Sequence, residues 1–283
     1  MRTSARHPWL ILPLAAALVA AAPSAAPAQS KLEASYTVTL AGIPIGKGDW
    51  SINITDTRYS ASASGTTTGL MRVFTGGHGD TTVSGTFNGG QVLSSSYVSS
   101  ITSHKKTDSV RFNVNEGNVK DAKVDPPIDS DPERVPITDA HQQGVIDPMS
   151  ASLLRSPGSG EPVSPEVCQR TLAIFDGRIR YDLQLVYKRM EHVKADKGYN
   201  GPAVVCAVYF TPVAGYIPSR AAIRYITKAR DIEVWLAPII GTRVLVPFRA
   251  QGPTPIGPVV FEADKFVSLA IPSRASANGT KTQ

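Results

Sequence analysis

Two short motifs in this 283-residue chain resemble sites that do chemistry. Gly42 to Gly48 reads Gly-Ile-Pro-Ile-Gly-Lys-Gly, which resembles a phosphate-binding loop. It has one residue too few between the glycines, and Gly48 stands where Ser or Thr should hold the metal. Ser103-His104-Lys105-Lys106 matches a Ser-x-x-Lys nucleophile pair, but no helix begins there to place Ser and Lys one turn apart. We therefore interpret the first motif as a β-turn and the second as a solvated strand end.

The histidines that follow the N-terminal segment do not have the spacing of a zinc site. None has a partner two or four positions away, and there is no His-Glu-x-x-His sequence. His78 near Asp80 could bind a metal weakly, although a surface turn is the simpler interpretation. The residues concerned are His78, His104, His141 and His192.

No Gly-x-Ser-x-Gly motif is present, and a dispersed Ser/His/Asp triad is not recognisable in a single sequence. The sequence therefore predicts no catalytic residue, no metal site and no cofactor. A hydrolase stays open as a minor alternative.

The two cysteines, Cys168 and Cys206, flank the clearest strand pattern in the chain. Arg178 to Glu191 alternates apolar and polar residues, which predicts a long half-buried strand. Asp176-Gly177 is a turn dipeptide that would let Thr171 to Phe175 pair with it as a hairpin. Ala203 to Phe210 is apolar at both parities, so this strand is expected to be covered on both faces. A disulfide between the cysteines and two buried free thiols are both compatible with this pattern, and the compartment decides between them.

The N-terminus predicts export. Met1 to Arg6 is basic, Trp9 to Ala22 is apolar but shorter than a bilayer span, and Ala26-Pro27-Ala28 is a small-x-small site. We interpret residues 1–28 as a signal peptide cleaved after Ala28, with an uncleaved anchor as the alternative. No cysteine follows the apolar core, which excludes lipid attachment there. The mature protein is thus predicted to be soluble, not membrane-spanning, in a compartment where thiols oxidise, and to contain the Cys168–Cys206 disulfide.

The remaining pattern predicts a mainly β fold in a single domain over residues 29–273, with a disordered tail over residues 274–283. Runs of alternating residues recur about every ten positions, as in an antiparallel meander. We expect a large curved sheet, either a half-barrel or closed like a barrel. The first strands predicted are Leu32 to Leu40, Asp49 to Thr55, Tyr59 to Ala63, Thr66 to Phe74, Asp80 to Phe87, Val92 to Thr102 and Asp108 to Val114.

One short helix is predicted in mid-chain, near residues 147–155. Asp147 suits the N-cap, Pro148 suits the first helical position, and Met149 and Leu153 share a face. A Gly/Pro linker follows over residues 156–165, and Asp125 to Pro136, with four prolines, is expected to be a surface loop. Later strands are predicted at Arg220 to Thr227, Asp231 to Leu236, Val244 to Phe248 and Ile256 to Phe266.

Several short motifs follow one another in a characteristic order. They are Asp147-Pro148-Met149-Ser150-Ala151, Phe175-Asp176-Gly177-Arg178, Asp231-Ile232-Glu233-Val234-Trp235-Leu236, Val246-Pro247 and Ile256-Gly257. Together they resemble the DUF3108 family of exported bacterial proteins, over about Ala34 to Phe266. The resemblance implies a periplasm of the proteobacterial type and an antiparallel β fold, and it implies no catalytic residues because the function of the family is undefined.

An apolar sheet face that a single short helix cannot cover favours a non-enzymatic protein that binds a hydrophobic ligand, such as a lipid or acylated molecule. An envelope scaffold or assembly partner with a closed core is the alternative. The formal charge falls from +6 to +4 when Arg2 and Arg6 are removed, too little and too dispersed to indicate nucleic acid binding. The candidate ligand-binding residues are Trp50, Tyr181, Leu183, Tyr187 and Trp235; plain core is their alternative role.

Export can be tested by mass. We expect the intact mass of the protein recovered from the periplasm to begin at Gln29, because the small-x-small site ends at Ala28. A protein that retains Trp9 to Ala22 would contradict the signal-peptide interpretation.

Overall fold

The structure is a computed structural model that describes residues 29–69, 76–104 and 106–271. These residues form fifteen β-strands and one α-helix. The strands are β1 Gln29–Leu40, β2 Ile43–Ile54, β3 Arg58–Thr67, β4 His78–Asn88, β5 Gln91–Ser103, β6 Lys106–Asn115, β7 Asn118–Asp125, β8 Leu154–Arg155, β9 Arg170–Phe175, β10 Arg180–Lys194, β11 Lys197–Gly198, β12 Asn200–Ala214, β13 Glu233–Pro238, β14 Val244–Gly252 and β15 Val259–Ile271, and the helix is α1 Ala221–Lys228.

All fifteen strands belong to one sheet, which confirms the predicted antiparallel meander. Along the sheet the order is β7-β6-β5-β4-β3-β2-β1-β15-β14-β13-β12-β10-β9, with β11 beside β15 and β8 beside β14. Only the β11–β15 pair is parallel among these. Because the strands alternate in direction, their turns collect at two ends of the molecule. We call them the helix end, where α1 joins β12 to β13, and the Asp147 end, where β4 turns into β5.

The sheet curves without being closed by direct pairing of its edge strands β7 and β9. The segment Val145-Ile146 lies between them: Val145 N–H donates to the Gly117 carbonyl at 3.0 Å, and Ile146 exchanges hydrogen bonds with β9. Phe112 on β6 and Phe175 on β9 also contact each other, with ring centroids 5.7 Å apart. The curvature thus brings both ends of the strand order to one core.

Alternation buries one face of the first strands as predicted. On β1, Leu32, Ala34 and Tyr36 are buried while Glu33 and Ser35 are more exposed. The same pattern holds on the second half of β2 and on β3, whose exposed face consists largely of Ser and Thr. The buried side chains form a first core cluster that extends to β15; its members include Leu32, Tyr36, Trp50, Ile52, Phe112, Val205, Trp235, Phe248 and Phe266.

Strand β12 is covered on both faces over residues 203–207, in agreement with its continuous apolar sequence. Val205 belongs to the first core cluster, whereas its neighbours Val204 and Cys206 belong to a second. The Cys168–Cys206 disulfide, with 5.5 Å between Cα atoms, joins the segment before β9 to this second face. The second core cluster consists of Leu154, Val167, Cys168, Leu185, Val204, Cys206, Leu236 and Leu245.

The helix predicted near residues 147–155 is wrong. Only Ser150–Ser152 form a 3₁₀ turn, and Leu154–Arg155 form β8, which pairs with β14. Leu153 packs in the first core cluster and Leu154 in the second. Adjacent side chains that enter different clusters suit an extended chain better than a helix.

The strand predicted at Arg220 to Thr227 is also wrong, because Ala221–Lys228 is the α-helix. A strand at these residues could not pair with β12, because both edges of β12 are already occupied, one by β10 and the other by β13. The connection between β12 and β13 therefore satisfies its backbone groups internally.

Some of the remaining predictions agree with the structure, and others concern residues that it does not describe. The hairpin of β9 and β10 is confirmed, and Gly177 in its turn has φ = 93°, where Val110 leaves no room for a side chain. Residues 156–164 contain no helix or strand, as expected of a linker. The signal peptide, the disordered tail and the end of the strand predicted at Thr66 to Phe74 lie outside the described residues. In the part of the chain that the structure describes, no helix is long and apolar enough to cross a membrane.

The disulfide should contribute measurably to stability. It closes a loop with a sequence separation of 38 residues, for which the chain-entropy model gives about 4 kcal/mol. Cys168→Ser combined with Cys206→Ser should lower the melting temperature by roughly 10 °C. The untreated protein and a sample reduced with dithiothreitol provide the comparison, and equal melting temperatures for all three would contradict the prediction.

Candidate functional site

The five predicted ligand-binding side chains do not share one surface. Trp50 and Trp235 are buried in the first core cluster, whereas Leu183 packs against the second. Tyr181 lies against Phe210, with ring centroids 5.2 Å apart, and Tyr187 is partly exposed. The sheet covers its own apolar face by curving, so Trp50 and Trp235 take the alternative role of plain core, whereas Tyr187 remains exposed.

Trp235 is enclosed by charged groups that are paired with one another. Its indole N–H donates to Glu191 Oε2 at 2.5 Å, and the guanidinium groups of Arg249 and Arg189 lie 4.8 and 5.4 Å from its ring. Arg189 also donates to buried Glu233, which receives a second hydrogen bond from Lys188. The Arg189 hydrogen bond lowers the pKa of Glu233, and the indole hydrogen bond lowers that of Glu191. These pairs leave both carboxylates ionised around a ring that is already in contact with cations.

The residues of the Ser-x-x-Lys motif lie in the turn between β5 and β6. Ser103 pairs with Lys106 across this hairpin, and His104 has φ = 51°. His141 Nδ1 lies 3.1 Å from the Thr138 backbone nitrogen and His192 Nε2 lies 2.6 Å from Asn200 Oδ1. Among the described residues no three His, Cys, Asp or Glu side chains are grouped as metal ligands would be.

Asp147 is the most deeply buried acidic residue among those described, with no exposed surface. Its Oδ1 accepts the backbone N–H groups of Met149 at 3.0 Å and Ser150 at 2.8 Å. Its Oδ2 accepts the hydroxyl of Ser94 on β5 at 2.5 Å. The carboxylate thus shapes its own loop and joins that loop to the sheet. The sequence had identified this residue correctly as a cap, although of a shorter turn.

Ser94 reaches Asp147 because β5 contains an extra residue. Ser84 pairs with Ser96 and Gly85 with Ser94, so Ser95 has no partner on β4. Such a bulge reverses the alternation, which turns Ser94 toward the core. Beside it, the Tyr59 hydroxyl donates to the Leu93 carbonyl at 3.1 Å and lies over Gly85, where a Cβ atom would be only 2.3 Å from it. Glycine is therefore required at that position.

Burial raises the pKa of Asp147, and its hydrogen bonds with Ser150, Ser94 and Met149 oppose this effect only in part. The Ser150 hydroxyl is close enough to act on Asp147 and Tyr59, but this buried group has no well-aligned hydrogen-bond partner within the described ranges. The cluster is a serine beside a carboxylate and contains no histidine. Its groups serve to hold the backbone.

A cleft of about 800 Å³ opens beside this cluster at the Asp147 end. Four parts of the chain line it: the β4–β5 turn, the β6–β7 turn, the loop that contains Asp147, and the segment leading into β9. Most lining side chains are apolar, among them Val92, Leu93, Val145, Ile146, Ala151, Leu153, Leu154, Leu172 and Ala173. Sequence analysis missed this cleft because its walls are far apart in the chain.

Arg170 is the cation of the cleft wall. Its Nη2 donates to the Arg155 carbonyl at 3.0 Å, while its buried Nε has no partner among the described residues. Burial lowers the pKa of Arg170 from its usual value, yet the group remains charged at neutral pH. The cleft therefore combines an apolar wall with one incompletely paired guanidinium and the two carboxyl groups of Glu116 and Glu166.

The raised pKa of Asp147 predicts a pH dependence of stability. Folding favours its protonated form, so this stabilisation is present at low pH and is lost as pH rises through the folded-state pKa. Asp147→Asn stays neutral and should gain stability relative to the unmodified protein between about pH 4 and neutrality. Asp147→Ala should lose about 2 kcal/mol or more at every pH, because two backbone N–H groups lose their acceptor. Urea unfolding across this range measures both, and parallel pH profiles for Asp147→Asn and the unmodified protein would contradict the assignment.

Comparison with known proteins identifies a family but no activity. The model of DUF3108, described as a protein of unknown function, matches residues 35–264. No curated protein matches the chain. A similar solved structure is a β-barrel-like protein of the domain of unknown function DUF1849 from Brucella abortus, with 9% identity and a TM-score of 0.44, covering 86% of this chain and 98% of that one. The chain belongs to the DUF3108 family, as its motifs had indicated.

Proposed function

We propose that this protein is a non-enzymatic periplasmic protein that binds a lipid or acylated molecule in the cleft beside Asp147. The observation that carries the proposal is the apolar lining of this cleft, whose volume of about 800 Å³ lies within the range of small-molecule sites. An acyl chain that covers a few hundred Å² of this wall would gain several kcal/mol at about 25 cal/mol per Å², before the costs of association.

The unpaired donor of Arg170 favours a ligand that carries an acidic head group. The buried Nε of Arg170 is a donor without an acceptor in the described residues, and a carboxylate or phosphate would accept from it. No described carboxylate forms a salt bridge with this guanidinium. A ligand with an apolar chain and an acidic end beside Arg170 would use this donor, whereas Glu116 and Glu166, which also line the cleft, disfavour acidic groups elsewhere on its wall.

Two features support export to the periplasm. The N-terminal sequence has the three parts of a signal peptide, and Cys168 and Cys206 form a disulfide, which is rare in reducing compartments. The non-enzymatic part of the proposal rests on the hydrogen bonds of the buried polar groups. Asp147 accepts from the Met149 and Ser150 backbone N–H groups and from the Ser94 hydroxyl, so both side chains serve to hold the structure. A hydrolase remains the minor alternative.

An envelope scaffold is the second candidate, and one observation favours it. The core is filled by the protein's own aromatic side chains, including Trp50 and Trp235, which leave only 8% and 3% of their surfaces exposed. A filled core suits a protein that presents its surface to partners.

Ligand binding can be measured with cis-parinaric acid, a fluorescent fatty acid, and by native mass spectrometry of protein purified without detergent. Val92→Glu places a charge on the cleft wall and should weaken binding at least about tenfold. Thr171→Trp, at an exposed lining position, should narrow the cleft and also weaken binding.

Val98→Glu is the matched control, because Val98 lies on the same strand β5 but is 39% exposed and does not line the cleft. It should bind like the unmodified protein. Arg170→Gln should reduce the affinity for the fatty acid more than that for the corresponding alcohol. If the unmodified protein does not bind the probe and carries no lipid, the scaffold becomes the better proposal.

A further inference from the structure

Helix α1 is an exposed amphipathic helix at the helix end of the molecule. None of its residues Ala221–Lys228 is buried. Ile223 and Thr227, four positions apart and half-buried, form the row that faces the protein. Tyr225 and Ile226 nevertheless remain 40% and 37% exposed. An exposed helix that presents large apolar side chains indicates a surface used for binding.

The outward side of α1 divides into a cationic row and an apolar row. Arg220, Arg224 and Lys228 follow one another at intervals of four, so they lie along one side of the helix. Ala222 and Ile226 lie along the other side, with Tyr225 next to them. The helix contains no acidic residue, and none of the three cations forms a salt bridge among the described residues.

Two neighbouring turns add apolar side chains at the same end. Ile256 in the β14–β15 turn and Ile43 beside the β1–β2 turn are 71% and 65% exposed, more than any other large apolar residue described. The turns contact each other, since Ala41 N–H donates to the Pro258 carbonyl at 2.8 Å. Ile232, just after α1, packs beside Gly252 at the start of the β14–β15 turn. The helix and the turns are therefore adjacent parts of one end.

We infer that α1, together with the β1–β2 and β14–β15 turns, docks this protein onto the surface of an anionic lipid bilayer. Cations beside an apolar row are the pattern of helices that lie in the membrane interface, with the charges at the head groups and the apolar side chains below them. Each Lys or Arg near an anionic membrane contributes favourably, and the isoleucines of the two turns add apolar area.

A lipid surface fits these residues better than an acidic protein. An acidic partner would pair with the cations but would leave Ile43 and Ile256 without a reason to be exposed. The acidic residues Asp131 and Glu133 lie in the loop after β7, which contacts the segment between β12 and α1, since Val135 N–H donates to the Tyr216 carbonyl at 2.9 Å. We therefore assign docking to the side of this end formed by α1 and the β1–β2 and β14–β15 turns, and not to this loop.

The experiment is co-sedimentation of the purified protein with vesicles. One set contains equal parts of phosphatidylglycerol and phosphatidylcholine, and the other contains phosphatidylcholine alone. We expect binding to the anionic vesicles, weaker binding at high salt, and little binding to phosphatidylcholine. Arg224→Glu with Lys228→Glu should weaken binding to anionic vesicles at least about tenfold. Tyr225→Ser with Ile226→Ser should weaken it without removing its dependence on salt.

The matched control is Arg58→Glu with Lys120→Glu, which changes the net charge equally but lies beside the β2–β3 and β6–β7 turns at the Asp147 end. It should sediment like the unmodified protein, and melting temperatures should confirm that all variants fold. The inference is overturned if the protein does not bind anionic vesicles, if the control loses binding equally, or if the protein binds immobilised polyglutamate but no vesicle.

Discussion

The architecture depends on a carboxylate that has been taken out of water. The sheet ends in two edges, β7 and β9, that do not pair directly, and the loop between Gly144 and Pro157 occupies the space beside them. That loop keeps its shape because Asp147 accepts two of its own N–H groups and the Ser94 hydroxyl. Burial of an ionisable group without such donors would cost several kcal/mol. The hydrogen bonds that lower this cost also fix where the loop meets the sheet.

Extra residues in two strands determine which side chains can reach these positions. Ser95 in β5 and Lys188 in β10 each have no partner across the ladder, and each reverses the alternation that follows. The first places Ser94 at Asp147. The second puts Arg189 and Glu191 on the side of Trp235, whereas Leu185 packs in the second core cluster. Without these bulges, strictly alternating strands would have placed neither Ser94 beside Asp147 nor Arg189 and Glu191 beside Trp235.

Local pattern was sufficient for much of the fold. Alternation located β1, β2 and β10, and Asp176-Gly177 located a hairpin, because in each case the signal lies within a few neighbouring residues. The two errors in helix assignment have a non-local cause. The side chains of Leu153 and Leu154 enter different core clusters, which requires an extended chain. Ala221–Lys228 cannot be a strand beside β12, because β12 already pairs with β10 and β13. Both facts depend on strand order, which local sequence does not contain.

The candidate sites were also difficult to predict from local sequence, because they depend on how distant strands come together. Trp50 and Trp235 were chosen because aromatic side chains on strands offer apolar area, but curvature of the sheet placed them in the core. The cleft instead combines Val92, Arg170 and the Asp147 loop, which only the meander brings together. It opens at the Asp147 end, while α1 lies at the other end. If the helix end rests on a bilayer, the cleft faces away from it. A ligand would then enter from the aqueous side or from a bound partner, and direct extraction from the membrane beneath would require the protein to detach and turn over.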